Sequence, residues 1–270
     1  MSAAAPPLCA PRWLTPDWPA PDAVRALSTW RGGGVSPPPY HSLNLAGHVE
    51  DAAAAVAANR QALRTAANLP AEPGWLTQVH GIRVADLDTP DAANAPEGQA
   101  PGAAANARAA DAQTAADAAV TRHPGRVCAI LTADCLPVLL AAESGEAVGA
   151  AHAGWRGLAA GVIESTVRAL RIPGPRLLAW LGPAIGPEVR DALLAGDPQA
   201  QAAFQHNARG RIVADLYALA RRRLARLGID RVYGGGECTH TDAERYFSHR
   251  RDGRTGRQAT LIWLEGPDHR

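Results

Sequence analysis

Residues 126–170 read RVCAILTADCLPVLLAAESGEAVGAAHAGWRGLAAGVIESTVRAL, and their pattern decides the fold. Val127 to Thr132 is a short apolar run, as a buried strand requires. Pro137 to Ala142 and Ala147 to Ala153 are two more. Between them Glu143-Ser144-Gly145-Glu146 is a polar turn containing Gly, the signal of a longer hairpin loop. From Gly157 the period changes: Leu158, Val162, Thr166 and Leu170 recur at helical spacing, so one helix is expected there.

The hairpin places two reactive side chains. Folding about Ser144 and Gly145 sets His152 opposite Pro137. Strand side chains alternate faces, so Cys135 points the same way as Pro137. Cys135 is then a diagonal neighbour of His152, with backbones roughly 7–8 Å apart. That gap lets a thiolate and an imidazole share a metal at about 2.3 and 2.1 Å. A Cys–His catalytic pair fits the same placement, and so does a buried Cys beside a hydrogen-bonded structural His. The polar Thr132-Ala133-Asp134 and the glycines of HAGWRG suit a site rim.

Outward from this centre, Val24 to Trp30 reads as a strand and Glu50 to Asn68 as an Ala-rich helix with Asp51 near its start. Trp75 to Asp88 reads as two short strands broken at His80-Gly81. Thr89 to Ala116 has the composition of a disordered surface insertion, with order resuming at Asp117. Arg176 to Leu181 is a strand, and Glu188 to His206 is helical in two pieces. Val213 to Leu227 is an amphipathic helix closed by Gly228. Arg231 to Gly236 is a strand, and Ala259 to Leu264 closes the sheet. The basic loop 247–258 either holds a phosphate or carboxylate through forked hydrogen bonds or is a solvated hairpin tip. Residues 1–20 are a Pro-rich segment anchored by Trp13 and Trp18, and residues 21–270 form a single catalytic domain. Mixed strands and helices give an α/β or α+β fold with a mixed sheet.

The composition narrows the function. The chain has 270 residues, 47% of them hydrophobic, and a net charge of +1, which offers no electrostatic footprint for nucleic acid. The basic residues are all Arg. The 4 cysteines are scattered without a disulfide-scaffold spacing. No apolar run is long enough to span a membrane, and the first residues lack a secretory pattern. A soluble, cytoplasmic monomer is expected. His48-Val49-Glu50 matches half of the zinc deaminase signature, but no Pro-Cys-x-x-Cys follows, so the match reads as chance.

Together, SLNLAGHVED, NRQAL, WLTQVHG, ADAAVT, LTADCLPVLL, AAHAGWRGL, WLGPAIGPE, ECTHTD and FSHRRDGRTGRQATLIWL resemble the purine nucleoside phosphorylase family also called laccase-domain, polyphenol oxidase-like or peptidoglycan editing factor proteins. The pieces run in order from about residue 25 to the end. The resemblance implies a four-layer αββα sandwich with mixed sheets, similar to the catalytic domain of a cytotoxic necrotizing factor. It implies zinc bound by His80, Cys135 and His152, with copper the lesser alternative. It implies phosphorolysis of adenosine, inosine and S-methyl-5'-thioadenosine, with adenosine deamination as a further activity. Three protein ligands leave a fourth zinc position open, as a catalytic site needs. Arg250, Ser248 and Arg60 are candidates for phosphate, and Asn44 and Gln78 for base or ribose. Asp134 is a candidate to orient a ligand, to transfer a proton or to cap a turn. The competing functions are a metal-free Cys135–His hydrolase or amidase acting in peptidoglycan precursor editing, a copper-dependent polyphenol oxidase, and a non-catalytic metal-bearing module. The chain departs from the family pattern in its long insertion and in HVED where HVGD is usual.

Overall fold

The computed structural model describes residues 10–89, 114–186, 204–206 and 212–266. In chain order the strands are β1 (Trp13–Leu14), β2 (Val24–Thr29), β3 (Leu76–Thr77), β4 (Val84–Asp86), β5 (Thr114–Ala115), β6 (Ala118–Thr121), β7 (Val127–Thr132), β8 (Leu136–Ala142), β9 (Val148–Ala153), β10 (Leu177–Leu181), β11 (Phe204–His206), β12 (Ile212–Ala214), β13 (Val232–Gly234) and β14 (Gln258–Leu264). The helices are α1 (Ala53–Ala66), α2 (Trp155–Ala160), α3 (Val162–Leu170), α4 (Leu216–Arg226) and the single turn α5 (His249–Asp252).

The β8–β9 hairpin has the register its turn and alternation require: Pro137 pairs with His152 and Leu136 with Ala153. Gly145 supplies the turn's positive φ of 74°. This hairpin is the middle of a six-stranded mixed sheet ordered β13-β10-β8-β9-β6-β4. A four-stranded antiparallel sheet, β1-β2-β14-β7, packs against it.

Two buried faces explain why the strands read as continuous apolar runs. Leu136, Val138 and Leu140 of β8 join Val162, Ile163 and Leu170 of α3 and Leu216, Ala220 and Leu224 of α4 in one core. Leu139 and Ala141, on the opposite face, meet Cys128, Ile130 and Ile262 between the sheets. Val127, Ala129 and Leu131 turn outward to Leu63 of α1, with Leu43, Leu45 and Trp75. Helix, sheet, sheet, helix is thus the order of layers, as the four-layer expectation has it. Trp13 and Trp18 pack as anchors against the outer and inter-sheet cores respectively.

Several boundaries differ from the expectation. The helix expected from Gly157 is two, α2 and α3, broken where Gly161 takes φ 101°. The helix expected over 213–227 starts at Leu216, because Asp215 caps it through the Ala218 amide at 3.0 Å while Ile212–Ala214 pairs with Phe204–His206 as strands. That pairing also replaces the last turn of the helix expected to end at His206; its remainder lies outside the described residues. Helix α1 begins three residues after Glu50, with Ala52 at its cap position and no side-chain cap; Asp51 Oδ1 accepts the Ala52 amide at 2.8 Å. Order resumes before Asp117, since Thr114–Ala115 pairs in parallel with Leu76–Thr77 and Ala116 is buried. Residues 90–113 of the expected insertion, and 1–9, lie outside the described residues. The α4 terminus forms as expected: Gly228 at φ 75° donates to Ala225 while Ile229 donates to Leu224, closing a Schellman motif. No helix among the described residues is long and apolar enough to cross a membrane.

Candidate metal centre

Three segments meet at the open end of the hairpin. Cys135 stands just before β8, after the turn at Asp134 (φ 93°). His152 sits near the end of β9, buried to 3% exposure. His80 lies in the loop between β3 and β4. One ligand atom from each of His80, Cys135 and His152 lies within 4.8 Å of the others. Cys135 Sγ is 3.7 Å from His80 Nε2. The two imidazoles cross edge-on, with centroids 4.7 Å apart.

Asp117 builds this arrangement. One of its oxygens, Oδ1, is 2.9 Å from His152 Nδ1 and accepts the His80 amide at 2.8 Å. The other, Oδ2, accepts the amides of Val79 at 3.1 Å and Gly81 at 2.7 Å. Gathering three successive amides on one carboxylate bends the loop sharply, and His80 takes φ 60°, unusual for a residue with Cβ. The same carboxylate fixes the His152 ring with Nδ1 inward and Nε2 toward Cys135.

The charges reinforce each other. Burial raises the Cys135 pKa, but attraction to His152 and hydrogen bonds from His152 and His80 outweigh it, so the thiol is drawn down. Burial lowers the His152 pKa, and the Cys135 charge and the Asp117 carboxylate reverse that, so it is drawn up. A thiolate beside two imidazoles is a metal-ligand set and also a nucleophile–base set.

Two observations fit the trio to a metal ion such as zinc. Thiolate and imidazole are both zinc ligand types, three of them leave a fourth position open, and tetrahedral bonds of about 2.3 and 2.1 Å require a sulfur–nitrogen separation of about 3.6 Å. The second is Gly154: a Cβ there would lie 2.9 Å from Cys135 Sγ, 3.0 Å from His80 Cδ2 and 3.5 Å from His152 Nε2. The chain keeps open the space that the three ligands face.

The other expected site residues surround the centre differently. Asp134 is buried; its carboxylate accepts from Thr239 Oγ1 at 2.7 Å and from the Arg250 amide at 2.7 Å, tying two loops together. Gln78 both donates to the Leu131 carbonyl and accepts its amide, each at 2.8 Å, extending β7 as a strand partner does. Asn44, fully buried, holds Ala46, Asp51 and the Arg257 amide. Arg60 donates through Nε to the Leu45 carbonyl at 3.0 Å and stacks on Trp75 at 4.3 Å. Ser248 Oγ accepts the Arg251 amide as the cap of α5, whose Arg250 is exposed.

Asp117, Gly154 and Arg257 escaped the sequence reading as individual residues, although each lies within a stretch noted there. A lone Asp before a strand, a Gly after one and one Arg among many carry no local signal. His48, set aside as a chance match, senses the charge of the centre. Desolvation and the positive charges of Arg257, Arg60 and His152 lower its pKa.

Comparison with known proteins bears on the family and the fold. The family described as multi-copper polyphenol oxidoreductase laccase matches residues 25–265. "Purine nucleoside phosphorylase PA4543" of Pseudomonas aeruginosa is 49% identical, covering 94% of this chain and 98% of that protein. "Purine nucleoside phosphorylase YfiH" of Escherichia coli is 47% identical, covering 93% and 98%. The crystal structure of Neisseria meningitidis protein NMB0706 superposes with a TM-score of 0.81 at 42% identity, covering 94% of this chain and 99% of that one. The chain belongs to this laccase-like family.

Proposed function

We propose that this member of the family is a zinc-dependent purine nucleoside phosphorylase, with residues 21–270 as its catalytic unit. The reaction takes adenosine, inosine or S-methyl-5'-thioadenosine with inorganic phosphate and releases the free base and a sugar 1-phosphate. The observation that carries the reading is the convergence of His80, Cys135 and His152 around the space left by Gly154, in a chain whose relatives bear that enzyme's name.

His80, Cys135 and His152 would hold the ion. When bound, it supplies positive charge and an open coordination position beside the substrate. The protein's own residues do the rest. Asp117 holds the His152 tautomer and the His80 loop. Asp134, Gln78 and Asn44 shape the rim by fixing the backbone that forms it. In phosphorolysis the bond from C1′ to the purine breaks, its electron pair leaves with the base, and a phosphate oxygen bonds to C1′. Basic side chains at the rim hold that phosphate in line. Adenosine deamination is a second activity of the same site, in which water replaces the exocyclic amine. Release of hypoxanthine from inosine by zinc-loaded protein, with and without phosphate, tests the main reaction.

One observation favours a second reading. Cys135 Sγ lies 3.7 Å from His80 Nε2, with its thiol drawn down beside His152, and this pairing suits a cysteine hydrolase or amidase acting without metal. Iodoacetamide separates the two: zinc-loaded protein resists alkylation of Cys135 under the first, and metal-free protein is the active and alkylated form under the second. Copper oxidation of phenols, which the family description carries, has less support here. The described residues bring together a single group of three ligands, enough for one ion.

A further inference from the structure

The phosphate must sit somewhere specific, and the loop 255–258 indicates where. Gln258 pairs with Thr132 across β14 and β7, so the preceding Arg257 stands at the end of the ladder from which the Asp134–Cys135 turn departs. The Arg257 backbone is pinned: its amide donates to Asn44 Oδ1 at 3.0 Å, and its carbonyl accepts from Leu45 at 3.3 Å. Its Nη1 donates to the carbonyls of Thr255 at 2.8 Å and Gly256 at 2.9 Å. Nε and Nη2 have no hydrogen-bond partner among the described residues. The guanidinium is half-buried. Burial lowers its pKa, and the charges of Cys135 and Asp134, felt across the rim, counter that.

His48 lies three residues beyond Leu45, whose amide donates to the Arg257 carbonyl. The residue is exposed, makes no hydrogen bond among the described residues, and senses the charges of both Arg257 and His152. A divalent cation at the neighbouring centre adds positive charge beside these groups. Asp117 is held by His152 and the loop amides, and Asp134 by Thr239 and the Arg250 amide, so neither carboxylate pairs with the Arg257 guanidinium. A doubly charged oxyanion suits the uncommitted edge of Arg257, whose Nε and Nη2 can donate as a fork. Arg250 and Ser248 are placed less well: Arg250 is exposed on a single turn, and Ser248 is buried with its hydroxyl already serving as the cap.

We propose that Arg257, assisted by His48, forms the oxyanion subsite that seats inorganic phosphate beside the His80–Cys135–His152 centre. The assignment rests on the phosphorolysis reading for its role, but phosphate binding itself is testable without turnover. Losing a charge-assisted contact of this kind weakens phosphate at least about tenfold.

The experiment uses the zinc-loaded chain and its Arg257→Gln, Arg257→Lys, His48→Gln and Arg250→Ala variants, each checked for zinc content. Thermal melting is followed with inorganic phosphate alone, and the phosphate and inosine KM values are measured separately. Phosphate should raise the wild-type melting temperature and leave that of Arg257→Gln unmoved. The phosphate KM of Arg257→Gln should rise at least about tenfold with the inosine KM within about twofold, and Arg257→Lys should recover part of it, keeping the charge but not the fork. If Arg257→Gln fails to fold, Arg257→Lys and His48→Gln should each still raise the phosphate KM. An unchanged phosphate KM in the Arg257 variants, or a larger rise in Arg250→Ala, overturns the subsite. Wild-type base release that ignores phosphate, alongside phosphate stabilisation that depends on Arg257, overturns phosphorolysis and leaves the subsite standing.

Discussion

Asp117 Oδ1 lies 2.9 Å from Nδ1 of His152, and the same carboxylate carries the amides of Val79, His80 and Gly81. One buried side chain therefore orients one imidazole directly and the other through its backbone. Asp117→Asn keeps the volume but turns one oxygen into a donor facing amides. Zinc affinity should fall about 10- to 100-fold. Competition with a chelating dye measures it; an unchanged affinity would make Asp117 a loop anchor only.

Gly154 has φ −59° and ψ 157°, a backbone that any residue adopts, so its reason for being Gly lies in the space it leaves. Gly154→Ala should cost the metal-free fold no more than about 1 kcal/mol, because the ligand side chains can turn away. With metal they cannot, and zinc content should drop steeply. Melting curves with and without zinc resolve the two: a variant that retains zinc shows that the three ligands do not face that space together.

Asp134 reads in the structure as a clamp for Thr239 and Arg250. Asp134→Asn should lower stability by about 1–3 kcal/mol and kcat by less than tenfold at equal zinc content. A loss of 100-fold or more in kcat, with stability intact, would instead make it a proton-transfer group.

A separate cluster sets an acid limit. Asp88 accepts from the Arg122 amide at 2.8 Å and faces His123 Nδ1 at 3.1 Å. Burial raises its pKa, but the hydrogen bonds from Thr121 and Arg122 and the His123 interaction outweigh it, leaving it below the ordinary 3.8. A depressed folded pKa means the unfolded chain binds the proton first. Its stabilisation is complete above roughly pH 5 and fades as the pH falls through the depressed value. In urea titrations between about pH 5 and pH 2, Asp88→Asn should start less stable and lose stability less steeply than wild type. Parallel slopes would remove Asp88 from the acid response.

These features differ in how far the sequence betrayed them. The Pro137–His152 register was legible because a polar turn and a two-residue period fix it locally. The central strands were legible as continuous apolar runs, buried on both faces, while the four-layer order entered through the resemblance. The break at Gly161 was not, since Leu158, Val162 and Thr166 keep helical spacing straight through it. Local spacing suggested a Cys135–His152 pair, while His80 entered through the resemblance. Asp117 could not be singled out, because its partners sit 35 to 38 residues away. For Asn44, Gln78 and Ser248 loop position and the family match suggested substrate contacts, yet such groups serve equally as backbone partners, and the structure shows them bonded to backbone. Arg250 and Arg257 are indistinguishable as letters in one basic loop; only the β14–β7 register separates them.

The central claim is that His80, Cys135 and His152 grip one zinc ion on which phosphorolysis depends. The most direct measurement is ribose 1-phosphate formed from inosine and phosphate, by wild type and Cys135→Ser prepared across a range of determined zinc contents. The account predicts product equal to the hypoxanthine released, in proportion to bound zinc, and none from the variant. Fully zinc-loaded wild type that forms no ribose 1-phosphate, or product formation indifferent to zinc content, would contradict it.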